Sequence, residues 1–129
     1  MKAIMLVGLG GLLGSIARYK AGGWVLHLTT LEKFPYSTFA VNVAGCFVVG
    51  VLAGLVEKHD YFAADTRLFL FTGVLGGFTT FSAFGLDALY LIRRGEMLTA
   101  ASYAGLSVVV GIAAVWFGFR LMGGSLHHP

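Results

Sequence analysis

The sequence predicts an all-α integral membrane protein with four transmembrane helices, the third of them broken in mid-membrane. Three observations carry this. Hydrophobic residues make up 57% of the 129-residue chain and charged residues only 12%, about half the ~25% charged share of an ordinary soluble domain. The mean hydropathy is +0.84. The apolar residues are gathered into separate runs, each close to the roughly 20 residues that cross a hydrocarbon core. The connections between the runs are too short to fold alone, so residues 1–129 read as one membrane domain.

The first span is expected over residues 3–28. Lys2 gives it a weakly charged start, but no polar mature domain follows, so it reads as a retained helix and not as a cleaved signal. Its "GLGGLLG" at Gly8–Gly14 does not open a strand–turn–helix unit and has the wrong spacing for a dinucleotide fingerprint. Arg18 and Lys20 stand towards its end. The second span covers residues 37–56, the third 67–92 and the fourth 97–121. Between them lie Thr29–Tyr36, Glu57–Thr66 and the tight turn Arg93-Arg94-Gly95-Glu96, and after them a polar, glycine-rich tail, "GGSLHHP".

Lys and Arg near span ends normally fix orientation. Here one side carries Lys2, Lys58, Arg67 and Arg120, and the other Arg18, Lys20, Lys33, Arg93 and Arg94. So even a count predicts dual topology, with two opposite copies paired about an axis in the membrane plane. A single orientation set by some other factor is the competing expectation. Pairs such as Gly10 with Gly14 and Gly50 with Gly54 allow close helix approach, either between subunits or within one. The scattered basic residues, at a net charge of +3, flank spans and form no nucleic-acid patch. Cys46, the single cysteine, reads as a small apolar residue. His27, His59, His127 and His128 fall at span ends or in the tail without ligand or triad spacing, so no enzyme is expected.

Polar groups at membrane depth are costly and mark function by default. Asn42 lies in the second span with Thr38 one turn before it, and Tyr103 and Ser107 are one turn apart on the fourth. Hydroxyls can bond their own helix backbone, but an asparagine amide cannot satisfy itself that way. The third span carries "GVLGGFTTFSAFG" at Gly73–Gly85. Gly76 and Gly77 weaken the helix there, Thr79, Thr80 and Ser82 can cap a new one, and Phe81 and Phe84 share a helical face. Irregular backbone at this depth is tolerated only where it is buried in protein or lines a cavity. Its freed carbonyls suit a cation, and its freed N–H groups an anion. An ion site is therefore expected at the break, with a simple kink as the alternative.

On "GGFTTFSAF" at Gly76–Phe84, "VNVAGCF" at Val41–Phe47, "GLLGSIARY" at Gly11–Tyr19 and "AASYAGLS" at Ala100–Ser107, the chain resembles the Fluc (CrcB-like) family of bacterial fluoride channels. The resemblance covers nearly the whole chain. It implies an antiparallel homodimer in the bacterial inner membrane, with two fluoride pores beside the subunit interface. By the same resemblance, Phe81 and Phe84 would be the pore aromatics, and Asn42, Tyr103, Ser107, Thr38, Ser82 and Thr80 the polar lining. The carbonyls of Gly76 and Thr79 from both subunits would hold one structural sodium, and Arg18 would sit in an aqueous vestibule. The alternative from another class is a small dual-topology, proton-coupled multidrug exporter. Its chemistry needs a carboxylate in the first span, which carries Arg18 instead; the deep acid is Asp87, with Arg93 or Arg94 as candidate partners.

Overall fold

A computed structural model of the chain describes residues 1–29, 33–59 and 62–124; the side chain of His59, and His127 and His128 of the tail, lie outside the described residues. Its elements are α1 (Lys2–Leu28), α2 (Tyr36–His59), α3 (Ala64–Arg67), a π-helical segment (Leu68–Leu75), α4 (Gly76–Phe78), α5 (Phe81–Arg93) and α6 (Met97–Leu121). Four stretches are long and apolar enough to cross a membrane: Lys2–Leu28, Tyr36–Lys58, Ala64–Arg93 and Met97–Leu121. These match the expected spans to within a few residues, and the chain is a multi-pass membrane protein. The second span runs past Val56 because Glu57 and Lys58 are good helix formers at a wet end.

The helices pack as two parallel pairs. Along α1, Gly10 faces Phe69 and Gly73, and Gly14 faces Val74 and Phe78. Advancing four residues on one helix advances about four on the other, so α1 and the third span run in the same direction. Likewise Gly50 faces Val115 and Gly54 faces Phe119, which sets α2 parallel to α6. Both glycine pairs singled out in the sequence are therefore spent inside the subunit and give no support to an interface between subunits. They work by removing side chains so that backbones can touch.

The turn between α5 and α6 follows from local chemistry. Gly95 takes φ +78, a region that costs a side-chain-bearing residue about 1–2 kcal/mol. Its N–H bonds Ile92 O at 2.9 Å, and the Glu96 N–H bonds Leu91 O at 2.9 Å, closing the last helical carbonyls. The hairpin so formed lays Phe84, Asp87 and Leu91 of α5 beside α6. Its core, Leu91, Ala100 and Tyr103, is packed round by Phe34, Phe39, Phe84 and Ala88. Most other large apolar side chains face outward, Trp24, Leu98 and Ile112 among them, as expected where the solvent is lipid.

The third span departs most from a regular helix. Over Leu68–Leu75 the backbone is π-helical, and the Gly76 N–H still reaches back five residues to Phe71 O. The break itself falls at Thr79 and Thr80, both extended, with φ −83, ψ 156 and φ −149, ψ 116. Gly76, by contrast, is regularly helical at φ −61, ψ −37. Gly77 is needed for space: a Cβ there would stand 2.5 Å from Gly11 O of α1. The expectation that the glycine pair itself interrupts the helix is corrected; the threonines do so.

Candidate functional site

Four hydrogen bonds between side chains and backbone build the break. The Thr79 Oγ1 bonds back to Leu75 O at 2.9 Å, where the Thr79 N–H also ends at 2.9 Å. The Thr80 N–H, which would close onto Gly76 O in a continuous helix, goes instead to Asn42 Oδ1 at 2.8 Å. Asn42 Nδ2 then donates to Thr80 O at 3.0 Å, so one amide side chain holds both polar groups of one peptide residue. The Ala83 N–H, whose helical partner would be Thr79 O, is capped by Thr80 Oγ1 at 3.2 Å. The helix restarts at Phe81 with Thr80 as its N-cap, as the sequence led us to expect of a threonine.

Two open grooves flank this break. The first, about 460 Å³, is lined by Asn42, Gly76, Thr79, Thr80, Phe81, Phe84 and Ser107, together with Cys46 and apolar neighbours. Seven of the residues named from the sequence thus come together. The second groove, about 660 Å³, is lined by Arg18, Thr38, Thr80 and Ser82, with Ser37 and Val41. Thr80 belongs to both, so the extended backbone forms the wall between them. Arg18 donates from Nη1 to Thr79 O at 3.4 Å, and Thr80 Oγ1 lies 3.3 Å from Ser82 Oγ.

Phe81 is 84% exposed although it sits at the break, in the middle of a span. It packs on Phe84 with ring centroids 5.5 Å apart, tilted by 34°. Phe84 in turn meets Tyr103 at 5.1 Å, and Tyr103 meets Phe34 edge-on at 5.3 Å. The result is a ladder of four rings leading inward from the first groove. Tyr103 is wholly buried, with no exposed surface, and lines neither groove; its hydroxyl donates to Asp87 Oδ2 at 3.3 Å.

Asp87 is thereby assigned a partner that the sequence reading passed over, since Arg93 and Arg94 were the candidates. It opens into a third cavity, about 360 Å³, together with Thr38, Lys33 and Arg94. Lys33 itself lies 3.7 Å from Glu96. A signal for the Asp87–Tyr103 pair was present: the two stand equally far on either side of the Gly95 turn, and equal helical rise on both arms puts them level. Cys46 was the other omission, since it borders the first groove. Among the described residues no cluster of His, Cys, Asp and Glu could hold a metal.

Comparison with known proteins agrees with this picture. The family described as CrcB-like protein, Camphor Resistance (CrcB), matches residues 5–119. A protein of Methylobacillus flagellatus named fluoride-specific ion channel FluC is 50% identical over 122 residues, covering 95% of this chain and 95% of that protein. One of the same name from Rhizobium etli is 49% identical over 118 residues, 92% of this chain and 94% of the relative. Another, from Acidobacterium capsulatum, is 43% identical over 112 residues, 87% and 89% of the two chains. With four membrane-spanning stretches, a third span broken at paired threonines and similarity of this extent, the chain belongs to the CrcB family.

Proposed function

We infer that this protein is a fluoride channel, conducting fluoride passively across the membrane. The observation that carries the reading is the convergence of Asn42, Phe81, Phe84, Ser107 and Thr80 on one groove beside a broken helix. Moving a bare small anion out of water costs far more than any single contact returns, so a pathway must offer several weak donors in succession. The groove offers them. One N–H of the Asn42 amide is committed to Thr80 O and the other is free to donate. Ser107 supplies a hydroxyl, and the rings of Phe81 and Phe84 present electropositive edges. At the start of α5 the Phe81 and Ser82 N–H groups carry the positive end of a helix dipole. Deeper in, the ladder reaches Tyr103, whose hydroxyl is given to Asp87. That the anion is fluoride rests on the names borne by the relatives.

The active form is an antiparallel homodimer. In one subunit the first groove is open on a side, and Phe81 projects from it almost bare; a second copy would close the groove and give that ring a neighbour. The break also fits a central sodium ion. The carbonyls of Gly76 and Thr79 leave the helical ladder because the N–H groups of Thr80 and Ala83 are taken by side chains; that of Thr79 accepts a long 3.4 Å bond from Arg18 Nη1, which the ion would have to displace or share. Two such oxygens from each of two copies would make a four-oxygen set for a small hard cation. When bound, the ion supplies only positive charge and a fixed geometry. Arg18 adds further positive charge at the mouth of the second groove, where hydrated anions would collect. The exporter alternative gains no support: α1 carries no carboxylate, and the deep acid Asp87 sits on α5 behind Tyr103.

The test is efflux from liposomes loaded with fluoride or chloride and containing the purified protein. Rapid loss of fluoride with retention of chloride supports the reading. Equal loss of both ions, or loss only when a proton gradient drives it, overturns it.

A further inference from the structure

We propose that Asn42 is the positioning residue of the cation site, holding open the carbonyls that ligate the ion; the inference rests on the sodium reading above. Asn42 stands on α2 and contributes none of the carbonyls proposed as ligands; its hydrogen bonds to the third span are made at Thr80. There it makes a two-point clamp, accepting from the Thr80 N–H at 2.8 Å and donating to the Thr80 carbonyl at 3.0 Å. The accepted bond is the decisive one. With Asn42 Oδ1 removed, the Thr80 N–H loses the partner that replaces its helical one, a costly state at membrane depth. The nearest remedy is the helical one, closure onto Gly76 O. Gly76 is already at φ −61, ψ −37, so only Thr79 and Thr80 need to turn for the ladder to continue. Closure would withdraw one ligand oxygen per subunit and re-aim the other, that of Thr79.

The same side chain also borders the groove through which the anion would pass. Its amide therefore has two duties: Oδ1 and one N–H fix the break, while the second N–H faces the groove. Occupancy of the cation site and conduction are then coupled through one residue, and single substitutions can separate them. Asn42→Asp keeps an acceptor for the Thr80 N–H, loses the donor to Thr80 O and puts a negative charge in the groove. Asn42→Ala removes both functions.

The experiment measures the thermal midpoint of purified protein against sodium concentration, with N-methylglucamine as the replacement cation, for the unaltered protein and both variants. Fluoride efflux is recorded in parallel. The unaltered protein is expected to be stabilised by sodium at a defined half-saturation. Asn42→Ala shifts that half-saturation upward by at least tenfold. Asn42→Asp stays within about threefold of the unaltered protein, while its fluoride efflux falls at least tenfold. A merely structural role would lower the midpoint of Asn42→Ala equally in both salts and leave half-saturation unmoved; that result overturns the inference and leaves the sodium reading standing. Loss of sodium dependence in Asn42→Asp as complete as in Asn42→Ala also overturns it. Absence of any sodium effect on the unaltered protein would overturn the cation site itself. Should Asn42→Ala fail to fold, the aspartate variant alone decides.

Discussion

Replacing Gly77 with alanine should damage this protein far more than replacing its neighbour Gly76. An alanine Cβ at Gly77 would stand 2.5 Å from Gly11 O and 3.0 Å from Gly11 Cα. Both are backbone atoms of α1, so no side chain can swing aside, and the helix as a whole must retreat by roughly 1 Å to restore ordinary contact. Overpacking of this kind costs about 1–3 kcal/mol. At Gly76 the nearest atom to a new Cβ is Phe71 O at 3.8 Å, which is ordinary contact. The helical φ and ψ there favour alanine by up to about 1 kcal/mol. The two substitutions should therefore differ by about 1–4 kcal/mol, with opposite signs. Thermal unfolding of each variant in detergent reads this directly: a fall of roughly 4–12 °C for Gly77→Ala and no fall for Gly76→Ala. Equal effects would mean that the glycine pair serves as a flexible break after all, and would refute the assignment of the break to Thr79 and Thr80.

Phe81→Ile should change the stability of the single subunit by no more than about 0.5 kcal/mol, because the ring is 84% exposed there, and any larger loss should fall on the dimer in which a second copy covers it. Phe84→Ile loses the ring contacts with Phe81 and Tyr103, worth about 1 kcal/mol. Both should cut fluoride efflux at least tenfold; undiminished efflux from a folded variant would take that ring out of the ion path. Gly95→Ala forces a side chain into φ +78 and should cost about 1–2 kcal/mol in thermal stability with efflux per folded channel unchanged. A C-terminal tag should be reachable from both sides of the membrane in one cell population, given the even Lys and Arg count; access from one side only would contradict dual topology.

The four spans were legible because hydropathy over some 20 residues is a summed signal that local irregularity does not blur. The cap at Thr80 was legible for the opposite reason, since N-capping is local and residue-specific. Between these scales the reading faltered. A run such as Leu68–Leu75 is apolar on every face, so its sequence cannot tell a π-helical period from an α-helical one. Gly76 and Gly77 look alike in sequence, yet one is an ordinary helical residue and the other makes room for Gly11. The Asn42 clamp joins residues on different helices, 38 apart, which no local pattern records. Gly10, Gly14, Gly50 and Gly54 announced close packing without naming the partner, which proves to lie in the same chain. Of the polar lining, Tyr103 is the residue whose placement differs most: it lies behind Phe84, and its hydroxyl is turned to Asp87.

The central claim is that the groove at the break is a passive, fluoride-selective path. The reversal potential of the protein in a planar bilayer tests it most directly, with a tenfold fluoride gradient opposed by a tenfold chloride gradient. Selective passive conduction places the reversal at the fluoride equilibrium potential, about 59 mV in magnitude, at every protein density. A reversal near zero or at the chloride potential, or the absence of current under a purely electrical driving force, would contradict the account.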